Sequence, residues 1–155
     1  MNKPAHHPRV PVPPPLVFLA FLLTSLLLNL WVPLQVPWPP LTRAVGAMAL
    51  AAGVLLAGLS VILMRRAGTS PDPRQPSTVL VTDGPFRLSR NPIYLGFTLI
   101  VLGATLFGGT LWGVLLAPLL VAAITRLIIH PEEKYLHTRF KAPYAIYRSR
   151  VRQWL

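Results

Sequence analysis

Residues 91–125, NPIYLGFTLIVLGATLFGGTLWGVLLAPLLVAAIT, contain no charged side chain and decide the fold of this chain. A continuous helix of this length would measure about 50 Å at 1.5 Å per residue, whereas the hydrocarbon core of a bilayer is about 30 Å thick. The Gly-Gly-Thr sequence at 108–110 lies near the middle of the run and favours a turn there. We therefore predict a helical hairpin of two short membrane spans, 93–107 and 111–129.

Two further charge-free stretches precede this run, at 16–32 and 44–64, and each is long enough to cross a bilayer. The chain of 155 residues is 53% hydrophobic and only 12% charged, which is typical of a membrane protein. The first stretch resembles a signal peptide, but the bulky residues 31–33 stand where a cleavage site needs small ones, which favours a retained span. The sequence thus predicts one all-α, polytopic membrane domain, 1–155, with about four transmembrane helices.

The predicted spans and the segments between them differ in composition. The span at 44–64 is crowded with Ala and Gly, which predicts a central helix with closely packed neighbours. Residues 77–82, STVLVT, fit either a short extended segment or an interfacial one. The predicted non-spanning segments are a proline-rich cytoplasmic arm at 1–15, an external connection at 32–40 with interfacial Trp31 and Trp38, a cytoplasmic loop at 65–92 and cytoplasmic C-terminal helices at 131–155.

Charge is distributed unevenly between the two ends of these spans. Fifteen basic residues stand against four acidic ones, a balance that on its own would also fit a nucleic-acid-binding protein. If the N-terminus is cytoplasmic, only Arg43 lies outside and Arg126 lies close to the cytoplasmic face, in agreement with the positive-inside rule. We therefore expect both termini in the cytoplasm, the lipid bilayer as a partner and no nucleic acid.

Several kinds of functional site are excluded or disfavoured by the composition. The chain has no cysteine, so disulfides and thiolate sites cannot form, and its four histidines have no metal-ligand spacing, so we expect no metal. No predicted span carries a charge at mid-membrane depth, which disfavours an ion-coupled transporter. A Gly-x-Gly motif is also missing, so a Rossmann-type nucleotide site has no support.

Two polar clusters lie at the cytoplasmic mouths of the predicted spans: RLSRNPIY at 87–94 and the pair Glu132-Glu133. A purely structural interpretation of the first cluster is helix capping by Asn91 or Ser89. For the acidic pair it is a favourable interaction with a helix N-terminus, and for the nearby tyrosines it is anchoring at the membrane interface. The patterns alone leave both these interpretations and a functional site open.

The C-terminal segment has an amphipathic pattern. Pro131 is predicted to begin a polar helix, and Pro143 to interrupt it and start another. Apolar, mostly aromatic side chains recur at spacings of four, three, four and three residues, as on one face of a helix. We expect this tail to lie on the membrane surface. Its apolar stripe consists of Phe140, Tyr144, Tyr147, Val151 and Trp154.

The motif GPFRLSRNPIYLG at 84–96, the hairpin after it, and PEEKYLHTRF at 131–140 with two tyrosines further on follow one another in a fixed order. In this order they resemble the isoprenylcysteine carboxyl methyltransferase family and its relatives, the phospholipid methyltransferases. The resemblance covers roughly residues 68–155 and includes a lead-in similar to that of bacterial members. It implies an enzyme integral to the bacterial inner membrane that uses S-adenosyl-L-methionine and releases S-adenosyl-L-homocysteine.

The same resemblance implies a cofactor pocket between the last spans and the C-terminal segment, with Arg90 and Glu133 as catalytic residues. Two departures stand out. The family's usual His in Arg-His-Pro is Asn91 here, an amide that can donate a hydrogen bond but cannot titrate, and FKAPY at 140–144 replaces a Phe-Gly pattern. The residues that the resemblance places in the cofactor pocket are Arg87, Arg90, Asn91, Pro92, Tyr94, Glu132 and Glu133. An adenine ring needs an apolar slot, and the residues that could supply it are Tyr94, Leu95 and the tail aromatics Phe140, Tyr144 and Tyr147.

Together these observations predict an integral membrane methyltransferase that depends on S-adenosyl-L-methionine and acts on a lipophilic or small acceptor. An isoprenylcysteine carboxylate, a lipid amine and a thiol all remain open as the acceptor group. The alternative is a non-catalytic four-helix membrane protein whose basic face binds anionic lipid or a partner. Binding of the adenosyl cofactor separates these two hypotheses.

Overall fold

A computed structural model describes residues 10–37 and 39–155, and it is helical without a strand in this part of the chain. Trp38 and the first nine residues of the predicted proline-rich arm lie outside the described residues. The all-α prediction is confirmed. The helices are α1 (Pro14–Trp31), α2 (Pro39–Arg66), a short 3-10 helix (Gly84–Arg87), α3 (Pro92–Phe107), α4 (Trp112–Ile124), a π-helical turn (Thr125–Ile129), α5 (His130–Phe140) and α6 (Ala142–Arg150).

Three helical runs are long and apolar enough to cross a membrane, namely Pro14–Trp31, Pro39–Arg66 and the run that starts at Trp112, and α3 is a shorter apolar helix. Large apolar side chains on their outer faces, among them Leu23, Leu30 and Leu55, are exposed. Helices that are apolar on every side are stable in lipid but not in water. The chain is therefore an integral membrane protein.

Prolines mark where most of these helices begin. Asn91 precedes α3, and Pro92 occupies its first turn, where the missing backbone N–H costs no hydrogen bond. Pro131 was predicted to begin a separate helix, but the chain stays helical from Trp112 to Phe140. A π-helical turn precedes Pro131, in which the His130 N–H donates to the Thr125 carbonyl five residues back. The helical direction changes instead at Lys141, whose φ is 48°.

Glycines allow α2 and α3 to pack with their backbones in contact. A Cβ atom at Gly53 would lie 2.5 Å from the Gly96 carbonyl oxygen, and one at Gly103 would lie 2.5 Å from the Leu50 nitrogen. This close approach is the one that the Ala- and Gly-rich composition of α2 predicts. The central position belongs to α3, however, because α3 contacts α1, α2 and α4, whereas α2 packs mainly on α3 and, at one end, on the 3-10 helix.

The two ends of the bundle are built differently. At one end the connection after α1 pairs with the α3–α4 turn, since the Leu111 N–H donates to the Leu34 carbonyl (3.0 Å) and the Trp112 indole to the Val32 carbonyl (2.8 Å). At the other end lie the long loop 67–91 and the helices α5 and α6. All polar clusters that the sequence singles out are at this second end, which makes it the candidate location of a functional site.

The apolar stripe of the C-terminal segment packs on the protein's own loop. Tyr144 and Tyr147 are buried in one cluster with Phe86, and Phe140 and Val151 pack against it. Trp154 packs against the core formed by α1, α3 and α4. The stripe that was predicted to lie on the membrane surface thus faces inward, because residues 79–86 of the loop offer an apolar surface to it.

Candidate active site

The Asn-Pro turn at the start of α3 and the acidic pair of α5 meet in space. The Tyr94 hydroxyl donates to the Glu132 carboxylate at 2.7 Å, and the Arg90 guanidinium forms an ion pair with Glu133, with Nη2 2.8 Å from Oε1. Successive helical residues point about 100° apart, which directs the two carboxylates to different partners on the same neighbour. The two motifs, some forty residues apart in sequence, therefore form one continuous polar wall.

The Arg90 guanidinium is fully committed within the protein. The side chains of Arg90 and Glu133 are only 9% and 10% exposed. Besides Glu133, Arg90 donates through Nη1 to the carbonyls of Arg148 (3.1 Å) and Val151 (3.0 Å) at the end of α6. A buried ion pair of this kind is costly to break, because removal of one partner leaves a charge without compensation. The pair holds the C-terminal segment against the start of α3.

Asn91 contributes to the same attachment. Its side-chain amide donates to the Gln153 carbonyl (3.0 Å), which also accepts a hydrogen bond from the Ser89 hydroxyl (3.1 Å). The Arg90 backbone N–H donates to the Arg152 carbonyl at 2.9 Å. Of the two capping residues considered, the Asn91 side chain makes no capping bond to α3, whereas the Ser89 hydroxyl accepts from the Asn91 N–H. An amide in this position thus binds the tail.

Two tyrosines of α6 close the site from the side of the tail. The Tyr147 hydroxyl donates to the Phe86 carbonyl at 2.7 Å. Tyr144 is only 1% exposed, and its hydroxyl has no hydrogen-bond partner among residues 10–37 and 39–155. Burial raises the pKa of both hydroxyls. A buried hydroxyl without a partner carries a desolvation cost, so the Tyr144 oxygen is available to a ligand.

A cavity lies between these groups. On its polar side are Arg90, Asn91, Tyr94 and the acidic pair, and on its apolar side are Met64, Leu136 and residues 79–81. The cavity has a volume of about 60 Å³. The complete lining is Met64, Pro71, Ser77, Val79, Leu80, Val81, Phe86, Arg90, Asn91, Pro92, Ile93, Tyr94, Glu132, Glu133, Leu136, Tyr144 and Tyr147.

Glu132 is the electrostatically unusual group of the cavity. It lies beyond the charge-free part of its helical run, 112–125, and is partly buried. Burial raises the pKa of its carboxyl to about 7; the hydrogen bond from Tyr94 opposes this shift and the charge of Glu133 adds to it. A carboxyl with such a pKa changes its charge near neutral pH, which is a property found in functional sites.

The sequence model of the phospholipid methyltransferase family matches residues 41–142, about two thirds of the chain. The chain belongs to the phospholipid methyltransferase family. The match begins in α2 and contains the Arg90–Tyr94 turn and the acidic pair, which confirms the resemblance that the sequence motifs indicate. Searches of curated proteins and of solved structures return no match. Enzymes of this family are membrane methyltransferases and generally use S-adenosylmethionine.

Most of the site residues predicted from the sequence are brought together by the fold. Eight of them line the cavity. Arg87 does not, because the 3-10 helix turns its side chain outward into an ion pair with Asp83 (2.8 Å) in which the side chains are 75% and 73% exposed. Leu95 is also absent from the lining, since it is rotated by about 100° from Tyr94 on α3. The eight are Arg90, Asn91, Pro92, Tyr94, Glu132, Glu133, Tyr144 and Tyr147.

The residues that form the apolar side of the cavity were not predicted from the sequence. Residues 79–81 belong to the STVLVT segment, whose role the pattern leaves open, and they cover the cavity without forming a strand or a helix. The Ser77 N–H donates to the Tyr135 hydroxyl (3.1 Å), which anchors the segment to α5. Only Leu136 could have been predicted to line the cavity, because it follows Glu133 by three residues and so lies on the same helical face.

Metal-ligating side chains do not cluster in the described residues 10–37 and 39–155, where no group of three or more His, Asp or Glu residues is placed to hold an ion. The cavity itself presents two carboxylates, tyrosine hydroxyls and a buried ion pair.

Proposed function

We propose that this protein is an integral membrane methyltransferase that binds S-adenosyl-L-methionine in the cavity between α3, α5 and α6. The observation that carries the proposal is the junction of the Asn-Pro turn with the acidic pair, through Arg90–Glu133 at 2.8 Å and Tyr94–Glu132 at 2.7 Å. Both motifs lie inside the region that matches the phospholipid methyltransferase family. Two sequence-distant motifs of one enzyme family that share a cavity wall support a common ligand.

The residues present fit the nucleoside and the sulfonium of the adenosyl cofactor chemically. The Glu132 carboxylate can accept both hydroxyls of a ribose diol, and the unpartnered Tyr144 hydroxyl can accept or donate a further hydrogen bond. Met64, Leu80 and Leu136 offer an apolar slot to an adenine ring. When bound, the cofactor supplies a methyl group on a positively charged sulfur, and the Glu132 carboxylate, which no basic side chain of the lining neutralises, favours that charge.

The cavity must widen to accept such a ligand. Ligand pockets have volumes of about 300–1,000 Å³, against about 60 Å³ here. The wall formed by residues 77–82 is the part that can move, since it is not helical and is held by few backbone bonds, chiefly those of Ser77 to Tyr135 and of Thr78 to Thr69 and Gly68. We expect cofactor binding to displace residues 79–81 while the Arg90–Glu133 pair stays intact. After closure, the same segment would exclude water from the reacting groups.

The charges in the cavity bear on the acceptor. Arg90 is the only basic side chain among the lining residues, all of which are described, and Glu133 and two carbonyls take up its donors. Arg87, the other arginine of the motif, is exposed outside the cavity. This arrangement supports a lipid amine or a thiol as the acceptor group over an isoprenylcysteine carboxylate. Arg90 and Glu133 thereby act by positioning the cavity walls, and their catalytic role remains a prediction.

The proposed orientation has the cavity and both chain ends at the cytoplasmic face of a bacterial inner membrane, with α3 and α4 as a hairpin through the bilayer. Arg65 and Arg66 at the end of α2 lie on the side of the cavity, and Arg43 lies near the other end of this helix. This asymmetry supports the orientation through the positive-inside rule. Water-soluble cofactor would enter from the cytoplasm, and a lipophilic acceptor would enter sideways from the bilayer.

Calorimetric titration of the full-length protein in detergent with S-adenosyl-L-homocysteine tests the proposal. We expect a dissociation constant in the micromolar range, an order of magnitude typical of enzyme ligands. Glu132→Gln should weaken binding about tenfold or more, because hydrogen bonds to a charged carboxylate contribute about 1.5–3 kcal/mol. Asp83→Asn, which removes an exposed carboxylate, is the matched control and should bind normally. A folded protein that shows no binding heat and no thermal shift would support the non-catalytic alternative.

A further inference from the structure

A second cleft lies on the other side of Glu133, between α5 and α6. It has a volume of about 460 Å³ and is lined by six residues: His130, Glu133, Lys134, His137, Thr138 and Arg148. Four of the six carry a basic side chain or an imidazole, and these four are exposed. The proposed methyl-transfer cavity and this cleft share Glu133 and no other lining residue.

The electrostatic character of the cleft is positive. Glu133 is the only acidic residue among the six described lining residues, and its carboxylate is neutralised by Arg90 on the side of the cavity. Lys134 and Arg148 therefore face the cleft without a compensating charge from its lining. An anion with several acceptor oxygens matches such an array, since lysine binds phosphate as a point charge and arginine binds it through a fork of donors.

The walls of the cleft are fixed before any ligand arrives. The backbone carbonyl of Arg148 accepts a hydrogen bond from the buried Arg90, and the neighbouring Tyr147 is tied to Phe86. On the other wall, His137 packs edge to face against the buried Tyr144 ring, with centroids 6.3 Å apart. The backbone around the cleft is therefore in place, and binding has to order chiefly the exposed side chains of Lys134 and Arg148.

The depth of the cleft points to one source of the anion. The charge-free part of the α4 run ends at residue 125, and His130 follows five residues later on the same continuous helix, about 8 Å further at 1.5 Å per residue. The polar headgroup layer extends about 5–8 Å beyond the hydrocarbon core on each side. His130 is thus at the level where the phosphates of lipid headgroups lie. Lys134 is four residues, or about 6 Å, further along the helix, and its long side chain, which leans towards the helix N-terminus, reaches back to that level.

We propose that the cleft between α5 and α6 binds the phosphate of a membrane phospholipid headgroup, held by Lys134 and Arg148 and flanked by His130 and His137. This site is separate from the cavity proposed for the cofactor and requires no methyl transfer. Its occupant connects α5 to α6 at the membrane surface and stabilises the folded state by mass action.

Native mass spectrometry of the full-length protein in an uncharged, phosphate-free detergent tests this site, with dioctanoyl phosphatidylglycerol as the probe. A double substitution, Lys134→Ala with Arg148→Ala, should weaken lipid binding by at least about tenfold, because each cation near an anionic headgroup contributes roughly a factor of five. The matched control, Arg139→Ala with Arg150→Ala, removes the same charge from the same two helices outside the cleft. It should weaken binding less than about threefold.

The remaining outcomes decide the source and the specificity. Dioctanoylglycerol, which lacks the phosphate, should not bind, and millimolar inorganic phosphate should not displace the lipid. Equal losses in the two double variants, or equal binding of dioctanoylglycerol, would overturn the proposal. Displacement by inorganic phosphate at the concentration of the lipid would assign the cleft to a free anion instead. If the cleft variant melts below the control, the pair His130→Gln and His137→Gln replaces it, with a several-fold loss expected. Substitution of the two histidines without any loss would also count against the site.

Discussion

The buried ion pair between Arg90 and Glu133 permits a quantitative test of how the C-terminal segment is held. Substitution Glu133→Gln keeps the shape and one acceptor oxygen but leaves the Arg90 charge uncompensated at 9% exposure. Loss of one partner of a buried pair costs about 3–5 kcal/mol, and the retained oxygen puts this variant at the lower end, about 3 kcal/mol. Arg90 also donates to the Arg148 and Val151 carbonyls. The substitution should therefore lower the free energy needed to open α6 by this amount.

Hydrogen exchange of the purified protein measures this cost directly. At about 1.4 kcal/mol for each factor of ten, amides of residues 142–151 should exchange about 150 times faster in the variant, while those of α2 and α3 stay unchanged. Asp83→Asn breaks the exposed pair with Arg87 and should change exchange less than about fivefold. The double substitution Arg90→Gln with Glu133→Gln should recover part of the protection. Equal exchange in Glu133→Gln and wild type, or an equal effect of Asp83→Asn, would refute the reasoning.

Three further predictions concern the cavity and the helix seam. The pKa of Glu132 in the folded protein, about 7, lies above its ordinary value of 4.5, so the free energy of unfolding should fall as pH rises from about 4.5 to 7. Binding of S-adenosyl-L-homocysteine should strengthen by up to about tenfold between pH 6 and 8, because the Glu132 carboxylate forms in this range. Glu132→Gln should abolish the pH dependence of both stability and binding, and a flat wild-type binding profile would contradict the role of Glu132. Tyr144→Phe removes a hydroxyl without a partner, so the melting temperature should hold or rise while binding weakens about three- to tenfold; a clear drop in melting temperature would reveal a hidden partner. Gly53→Ala places a methyl 2.5 Å from the Gly96 oxygen and should cost about 1–3 kcal/mol, whereas Gly58→Ala, with nothing within 4 Å, should not; equal melting temperatures would argue against the seam.

The sequence was most informative where physical constraints act over a whole segment. Charge-free length predicts the apolar helices, and the Gly-Gly-Thr sequence predicts the turn between α3 and α4, because lipid tolerates few alternatives. It was less informative where one helix continues into another. Pro131 is a strong helix breaker by composition, yet a π-helical turn before it rearranges the backbone bonds and keeps the helix continuous. Such compensation depends on local backbone geometry that composition does not encode.

The candidate site likewise has a part that the sequence predicts and a part that it does not. Arg87 and Arg90 look equivalent in the motif, but the 3-10 helix Gly84–Arg87 exposes the first, whereas the second is buried against Glu133. The difference arises from tertiary contacts between segments that are far apart in the chain. Residues 79–81 have no chemical signature at all, and only the packing of Tyr147 and Phe86 beneath them shows that they cover the cavity. Polar walls were predictable from motifs; the apolar cover was not.

The position of the cavity along α3 connects the fold with the proposed chemistry. Pro92, Ile93 and Tyr94 line the cavity and are also the first residues of an apolar helix of 16 residues, about 24 Å long at 1.5 Å per residue. In the proposed orientation α3 spans the bilayer, and because it is shorter than the hydrocarbon core of about 30 Å, the bilayer around it would thin or admit its flanking residues. Either adjustment brings lipid headgroups to the level of Tyr94 and Glu132. A soluble cofactor and a lipid acceptor can then reach one cavity from opposite sides without either crossing the membrane.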